Sequence, residues 1–415
     1  LAIQAPKSVS EAPFLDSQYS WFRLFLSVLI STIGSAGMWI VVVVIPEVQS
    51  EFGIDRSDAS LPFTATMIGF AVGNLIIGKL VDRFGIVLPM MGAALLLGAG
   101  FALGSLSTNI WMFSLFQGAL IGMGSAATFG PLIADISHWF QKRRGIAVAA
   151  AASGNYLAGT IWPLVTKEII AAEGWREAYV VAAIVSVAIM LPLALLLKRR
   201  IPSTVISLNG IEMAPDEPTK KINLSPRSLQ LLLCIAGISC CVAMSMPQVH
   251  IVAYCADLGF GVAAGAEILS LMLAGGIVSR LLSGLLADHI GGVRTVLLGS
   301  FLQCSALFLY LPFDGLMSLY IVSMVFGLSQ GGLVPSYALI VREYLPAREA
   351  GERVGLVIML TVVGMALGGW VSGYIYDLTG SYQAAFINGI AWNMVNMVIM
   401  AMLLWKTKEP RALAA

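Results

Sequence analysis

Charge is scarce in this chain. Of 415 residues only 11% are Asp, Glu, Lys or Arg, while 58% are hydrophobic and the mean hydropathy is +0.87. A soluble domain carries about 25% charged residues. The balance excludes a soluble globular protein and puts most of the chain in lipid. Histidine is rarer still: His138, His250 and His289 all fall near the ends of apolar stretches. The five cysteines (Cys234, Cys240, Cys241, Cys255, Cys304) lie in or near apolar runs without metal-ligand spacing and read as small buried hydrophobes. No G-x-S-x-G elbow, P-loop or zinc spacing occurs. An enzyme, a bound metal or cofactor, ATP-driven transport within this chain and a nucleic-acid partner are therefore not expected. Residues 1–20 hold no apolar signal core, so no cleaved signal peptide is expected.

What is present is a series of long apolar stretches. A spanning helix needs about 20 apolar residues. Spans are expected near 22–44, 61–80, 88–106, 110–134, 145–170, 178–197, 229–252, 264–286, 294–312, 318–340, 354–376 and 384–405. The longest hydrophilic stretch, residues 198–228, contains four prolines and reads as a linker. The expected organisation is an all-α integral membrane protein with twelve transmembrane helices. A tail (1–20) precedes a first six-helix unit (21–197), the linker (198–228), a second unit (229–405) and a short tail (406–415). Lys and Arg set the orientation. Of the 24 basic residues, Arg56, Lys167 and Arg176 fall on one face, Arg280 falls inside a span, and all others fall on the face with both termini. Both termini are thus expected in the cytoplasm, with the chain in the cell's inner (plasma) membrane.

The two units are similar. "GKLVDRFG" begins at Gly78 and "GLLADHIG" at Gly284, 206 positions later. "GWREAYVV" begins at Gly174 and "GSYQAAFI" at Gly380, again 206 later. Between them Gly145, Gly154 and Gly159 align with Gly355, Gly364 and Gly369 at an offset of 210, so one half carries a short insertion.

The first of these units resembles the G-x-L-x-D-R-x-G signature of the major facilitator superfamily, which marks the loop between the second and third helices. The resemblance covers essentially the whole chain. It implies two pseudo-symmetric six-helix bundles rocking about a central site. It also implies a gating role for Gly78, Asp82, Arg83 and Gly85, repeated at Gly284 and Asp288. Gly78 would let a neighbouring helix approach closely, and Asp82 would accept hydrogen bonds from the N-terminal amides of a facing helix. The chain departs from the fullest pattern: Ile86 and Val87 follow where basic residues are usual, and His289 stands for Arg in the second copy. Within the superfamily the chain is similar to carriers of small organic anions, the monocarboxylate and oxalate/formate groups. "HWFQKRRGIAVAAAASGNYLAG" (138–159), "GWREAY" and Arg280 carry that likeness. The animal-type Asp four residues before the arginine is absent; Gly276 stands there. So are the helix 1 lysine and the oxalate-type helix 11 lysine.

Arg280 is the central puzzle. An ionisable side chain inside a span costs about 2.5–3.5 kcal/mol. Asp288 lies eight positions away, about 12 Å, and Glu267 thirteen, about 20 Å, at the helical rise. Three readings stay open. The side chain snorkels to the surface; or it pairs with backbone carbonyls or a polar group such as Asn74, its repeat counterpart; or it binds a substrate carboxylate in the central cavity. One cation suits one carboxylate. The expected function is alternating-access transport of a small organic anion, a monocarboxylate first, by symport or antiport. A dicarboxylate exchanger, a drug/proton antiporter and a transporter-like sensor are the alternatives. Further cavity candidates are Asn155, Tyr156, Gln330, Tyr337, Thr128 and Trp39, with helix packing as the rival role for each. His250, Glu267 and Asp257 are the candidates for coupling to a proton; a counter-anion is the other possibility. The expected partners are the small anion and the lipid bilayer, with a monomeric carrier.

Overall fold

The computed structural model describes residues 15–141, 143–199, 222–345 and 349–407. The linker between 200 and 221, the outer parts of both tails, and Lys142, Arg200 and Arg348 lie outside the described residues.

In lipid a backbone must satisfy its own hydrogen bonds, so spans become helices. Among the described residues twelve long ones follow one another: α1 (Gln18–Phe52), α2 (Leu61–Phe84), α3 (Val87–Ser105), α4 (Ile110–Trp139), α5 (Arg144–Glu173), α6 (Trp175–Leu196), α7 (Pro226–Asp257), α8 (Gly261–Ile290), α9 (Gly292–Leu309), α10 (Leu316–Tyr344), α11 (Ala350–Thr379) and α12 (Tyr382–Lys406). Eleven of these are long and apolar enough to cross a membrane. The exception is α5, where Ser153, Asn155 and Tyr156 interrupt the apolar run and small residues fit the helix closely against α8. Ten of the twelve begin before their expected bounds, by up to four residues at α1 (Gln18) and α11 (Ala350); α7 begins at Pro226, where Pro suits a first turn.

The repeated glycines have a local cause. Gly85 and Gly291 end α2 and α8 at φ 79° and 82°, a region that a side chain at Cβ disfavours. Three helices are interrupted. Within α1 the chain breaks at Ser35, between Gln18–Gly34 and Ala36–Phe52. In α4, Gln117–Gly122 widens into a π-turn, and Gly118 and Gly122 there press against the α2 backbone. In α10 the break falls at Gly331 and Gly332, between Leu316–Gln330 and Leu333–Tyr344.

Helices α1–α6 and α7–α12 form two bundles that meet along a seam. In it α5 packs on α8 along their length, α2 on α11, and Ala36–Phe52 of α1 on α7. The polar contacts between α2 and α11 concentrate at the end remote from the termini. Thr64 Oγ1 donates to Ala366 O at 3.1 Å, and Gly373 lies against the backbone of Arg56 and Ser57. Toward the termini α2 turns to an exposed surface: Leu75, Ile76, Leu80 and Phe84 are all exposed. The molecule is therefore sealed at the remote end.

That arrangement corrects one expectation. Gly78 and Gly284 have no atom within 4 Å of where a Cβ would sit, so no helix approaches either closely. Asp82, Arg83 and Asp288 are exposed. The task expected of Asp82, capping a facing helix, is performed at the other end by Asp377.

Candidate functional site

Arg280 lies two-thirds of the way along α8, where small residues let α10 come close. Gly331 of α10 rests on the carbonyl of Gly276 and on the amide of Arg280. The residue four positions after Gly331 is Pro335, which has no N–H to donate. The Gly331 carbonyl is thereby left without a helical donor, and Arg280 Nε donates to it at 3.1 Å. Arg280 Nη1 donates to Ala152 O of α5 at 2.5 Å. The guanidinium carbon sits 4.2 Å from the Tyr156 ring centroid, a cation–π contact worth up to about 2 kcal/mol when desolvated. The residue is 8% exposed, so it does not snorkel. Asn74 donates to Phe70 O of its own helix and is not a partner. No carboxylate among the described residues forms an ion pair with Arg280. A full charge thus sits in the seam, joined to α5 of one bundle and α10 of the other by neutral acceptors alone.

Tyr156 belongs to this group. Its ring fills the space over Gly276: a Cβ there would stand 3.2 Å from Cε1. The position where similar carriers have an acid is therefore occupied by an aromatic face. Trp39 and Asn155 pack beside it. Trp39 Nε1 donates to Asn155 O at 3.0 Å, and the Asn155 amide reaches Met38 Sδ at 3.2 Å. Gln330 adjoins the group through the chain, and its Oε1 accepts from Gln248 Nε2 at 2.9 Å. Gln330 Nε2 and Gln248 Oε1 are buried without a partner. Two candidates point elsewhere. Tyr337 donates its hydroxyl toward Asn396 Oδ1 (2.7 Å) within the second bundle. Thr128 bonds its own helix at Ser125 O (2.8 Å) and packs on Gly34. Both hold helices together within one bundle rather than lining the space at Arg280.

The three proton candidates gather at the sealed end, joined by residues that sequence reasoning did not single out. Arg56, at the start of the turn Arg56–Ala59 before α2, donates through Nη2 to both Asp257 oxygens (3.0 and 3.2 Å) and through Nη1 to Tyr382 Oη (2.8 Å). Asp377 accepts from the backbone N–H groups of Arg56 and Ser57, each at 2.8 Å. This is the charge that a helix N-terminus favours. His250 is fully buried, with Nε2 2.8 Å from Gly369 O and Nδ1 3.3 Å from Tyr382 Oη. Glu267 pairs with Lys167 across the seam and accepts from Tyr320 Oη at 2.5 Å. The signal for Arg56 was in the repeat. Glu51 and Asp257 are counterparts at offset 206, as are Arg176 and Tyr382. In the first bundle Arg176 pairs with Glu51 at 2.5 Å. In the second, tyrosine replaces the arginine, and Asp257 takes its cation from the other bundle.

A third buried arginine was also missed. Arg23 of α1 grips Asp135 of α4 with two bonds (2.7 and 2.8 Å) and donates to the carbonyls of Leu197 and Arg199, each at 3.0 Å. No group of three or more His, Cys, Asp or Glu capable of holding a metal occurs among the described residues.

Comparison with known proteins follows this geometry. The sequence model of the Major Facilitator Superfamily matches residues 25–291 and 231–414. Monocarboxylate transporter 13 of Bos taurus is 28% identical over 337 residues, covering 79% of this chain and 75% of that protein. The MFS-type transporter pynF of Aspergillus niger is 24% identical over 347 residues, covering 82% and 77%. Among solved structures, a bacterial homologue of the human lysosomal transporter Spinster has a TM-score of 0.73 at 13% identity, covering 95% of this chain and all of that one. The nucleoside transporter NupG gives 0.70 at 13% identity, covering 91% and 99%. With twelve helices in two matched bundles, a polar seam between them and a family match over nearly its whole length, this chain is a membrane transporter of the Major Facilitator Superfamily.

Proposed function

We propose that this transporter carries a small organic anion, a monocarboxylate first, by alternating access, and that Arg280 binds the carboxylate. The observation that carries the reading is the state of Arg280: buried in the seam, with no protein acid in range among the described residues, held by two carbonyls and a ring face. Carbonyls are weaker partners for a guanidinium than a carboxylate, which can accept two parallel charged hydrogen bonds. An arriving carboxylate would displace Ala152 O and Gly331 O and compensate the charge. Tyr156 would keep the guanidinium plane oriented, and the Gln248–Gln330 pair, with its two unpartnered atoms, offers a polar contact nearby. A single cation favours one carboxylate over two. The 28% identity to a monocarboxylate transporter supports the same class. In this reading the termini lie in the cytoplasm, so the sealed end faces outward, and the carrier works as a monomer.

The test is thermal unfolding of the purified protein against a panel of mono- and dicarboxylates. Monocarboxylates should raise the midpoint, and Arg280→Gln should remove the rise. An undiminished rise in Arg280→Gln would contradict the site. Counterflow in proteoliposomes then separates a carrier from a sensor, because only a carrier exchanges labelled anion across the bilayer.

A further inference from the structure

The sealed end carries chemistry that carboxylate binding at Arg280 does not use. A carbonyl only accepts, so His250 Nε2 must bear the hydrogen that it shares with Gly369 O at 2.8 Å. An arginine only donates, so the hydrogen between Arg56 Nη1 and Tyr382 Oη, 2.8 Å apart, belongs to Arg56. The Tyr382 hydroxyl is then free to give its own hydrogen to His250 Nδ1, 3.3 Å away. The chain of bonds runs from Arg56 through Tyr382 and His250 to Gly369 and crosses the seam once. It needs a neutral imidazole.

We propose that His250 is a proton sensor for this seal: a proton taken from water at Nδ1 breaks the bond from Tyr382, loosens the grip of Arg56 on Tyr382 and Asp257, and so opens the remote end. The groups that face His250 support this direction. Arg56 from the turn before α2 and Asp377 from α11 act on it by charge and Tyr382 from α12 touches it, while Tyr376 of α11 and Tyr254 and Asp257 of α7 stand one contact further, around Tyr382 and Arg56. Both carboxylates are already engaged, Asp257 by the Arg56 guanidinium and Asp377 by the amides of Arg56 and Ser57. Asp257 already matches Arg56, and Asp377, though its charge favours an imidazolium, is tied to the amides of Arg56 and Ser57; a protonated His250 would also face Arg56 across a single phenol oxygen. Once the bundles part, water can solvate the imidazolium. By linkage, a proton bound preferentially by the open arrangement shifts the population toward it as pH falls. The second latch, Lys167 with Glu267, lies on α5 and α8 and contains no histidine. This inference rests on the family's moving seam and not on the identity of the cargo.

The experiment uses the full chain in lipid nanodiscs without any organic anion. Spin labels at Asp55→Cys and Leu378→Cys, exposed positions on opposite sides of the seal, report its width by pulsed dipolar spectroscopy. The pH runs from about 8 to about 5, which brackets the ordinary imidazole value near 6.5 and stays above the aspartate value near 4. The short-distance population should fall with pH, by up to about tenfold per unit below the imidazole titration. His250→Gln should flatten the profile. If that variant does not fold, Tyr382→Phe decides, because it keeps the ring and removes the hydroxyl that joins Arg56 to His250; a flat profile at a longer mean distance supports the sensor. A wild type without pH response, or a wild-type response persisting in the variant used, overturns the proposal. Because no anion is present, that outcome leaves the role of Arg280 untouched.

Discussion

Arg56 and Arg280 bridge the same seam at different depths, and they are satisfied in different ways. Arg56 meets Asp257 directly and a phenol besides, while Asp377 holds its backbone. Arg280 meets two carbonyls and the face of Tyr156. Arg23 is the reference for both, since its partner Asp135 lies in its own bundle and neither has reason to part from the other. Burial costs a charge heavily unless it is paired. An acid within the bundle makes a fixed joint. An acid across the seam makes a latch that moving bundles can release. Neutral acceptors leave the cation open to a partner that arrives from outside.

The largest effect should come from breaking the fixed joint. Arg23→Gln leaves Asp135 with no guanidinium and should lower stability by about 3–5 kcal/mol, the range for breaking a buried pair. Thermal unfolding in detergent reads it, and the response to added carboxylate, measured as a shift from the variant's own midpoint, should persist. Next, Gly276→Asp would give Arg280 the internal acid that it lacks, with the Tyr156 ring giving way. Carboxylate affinity should drop by roughly 10–100-fold, the worth of a charged hydrogen-bonded pair at about 1.5–3 kcal/mol. Equilibrium dialysis with labelled anion measures that loss. Asp257→Asn weakens the latch. Its side chain is 32% exposed, so the expected effect is about 1–2 kcal/mol, between a surface pair and a buried one. The label distance across the seal should lengthen at every pH. The smallest change expected is from Tyr382→Arg, which restores in the second bundle the arrangement of Arg176 with Glu51. Asp257 would then have a cation of its own, and the seal should loosen by under about 1 kcal/mol. The same distance distribution checks it.

Much of the fold was legible because lipid imposes simple rules. Long apolar runs gave the spans, and the repeat gave two bundles. Arg280 stood out because a charge in such a run is conspicuous. The breaks were harder to read. The free carbonyl at Gly331 depends on Pro335 four residues later, a pattern present in the sequence but meaningful only once α8 was known to lie against it. The latch was harder again: Arg56 and Asp257 are 201 positions apart, Arg56 looked like an ordinary charge at a span end, and Asp257 was read as a proton candidate rather than as half of an ion pair. Comparison of the halves would have exposed the substitution of Tyr382 for Arg176. Gly78 misled because its motif was read for one arrangement of the bundles, and the end of the seam on which it sits is not packed here.

The central claim is that Arg280 has been left without an acid so that the cargo supplies the negative charge. Titration calorimetry of a monocarboxylate into wild type and Arg280→Gln tests it most directly. Saturable heat in the wild type, absent or at least about tenfold weaker in the variant, is the predicted result. Equal affinity in the two proteins would contradict it.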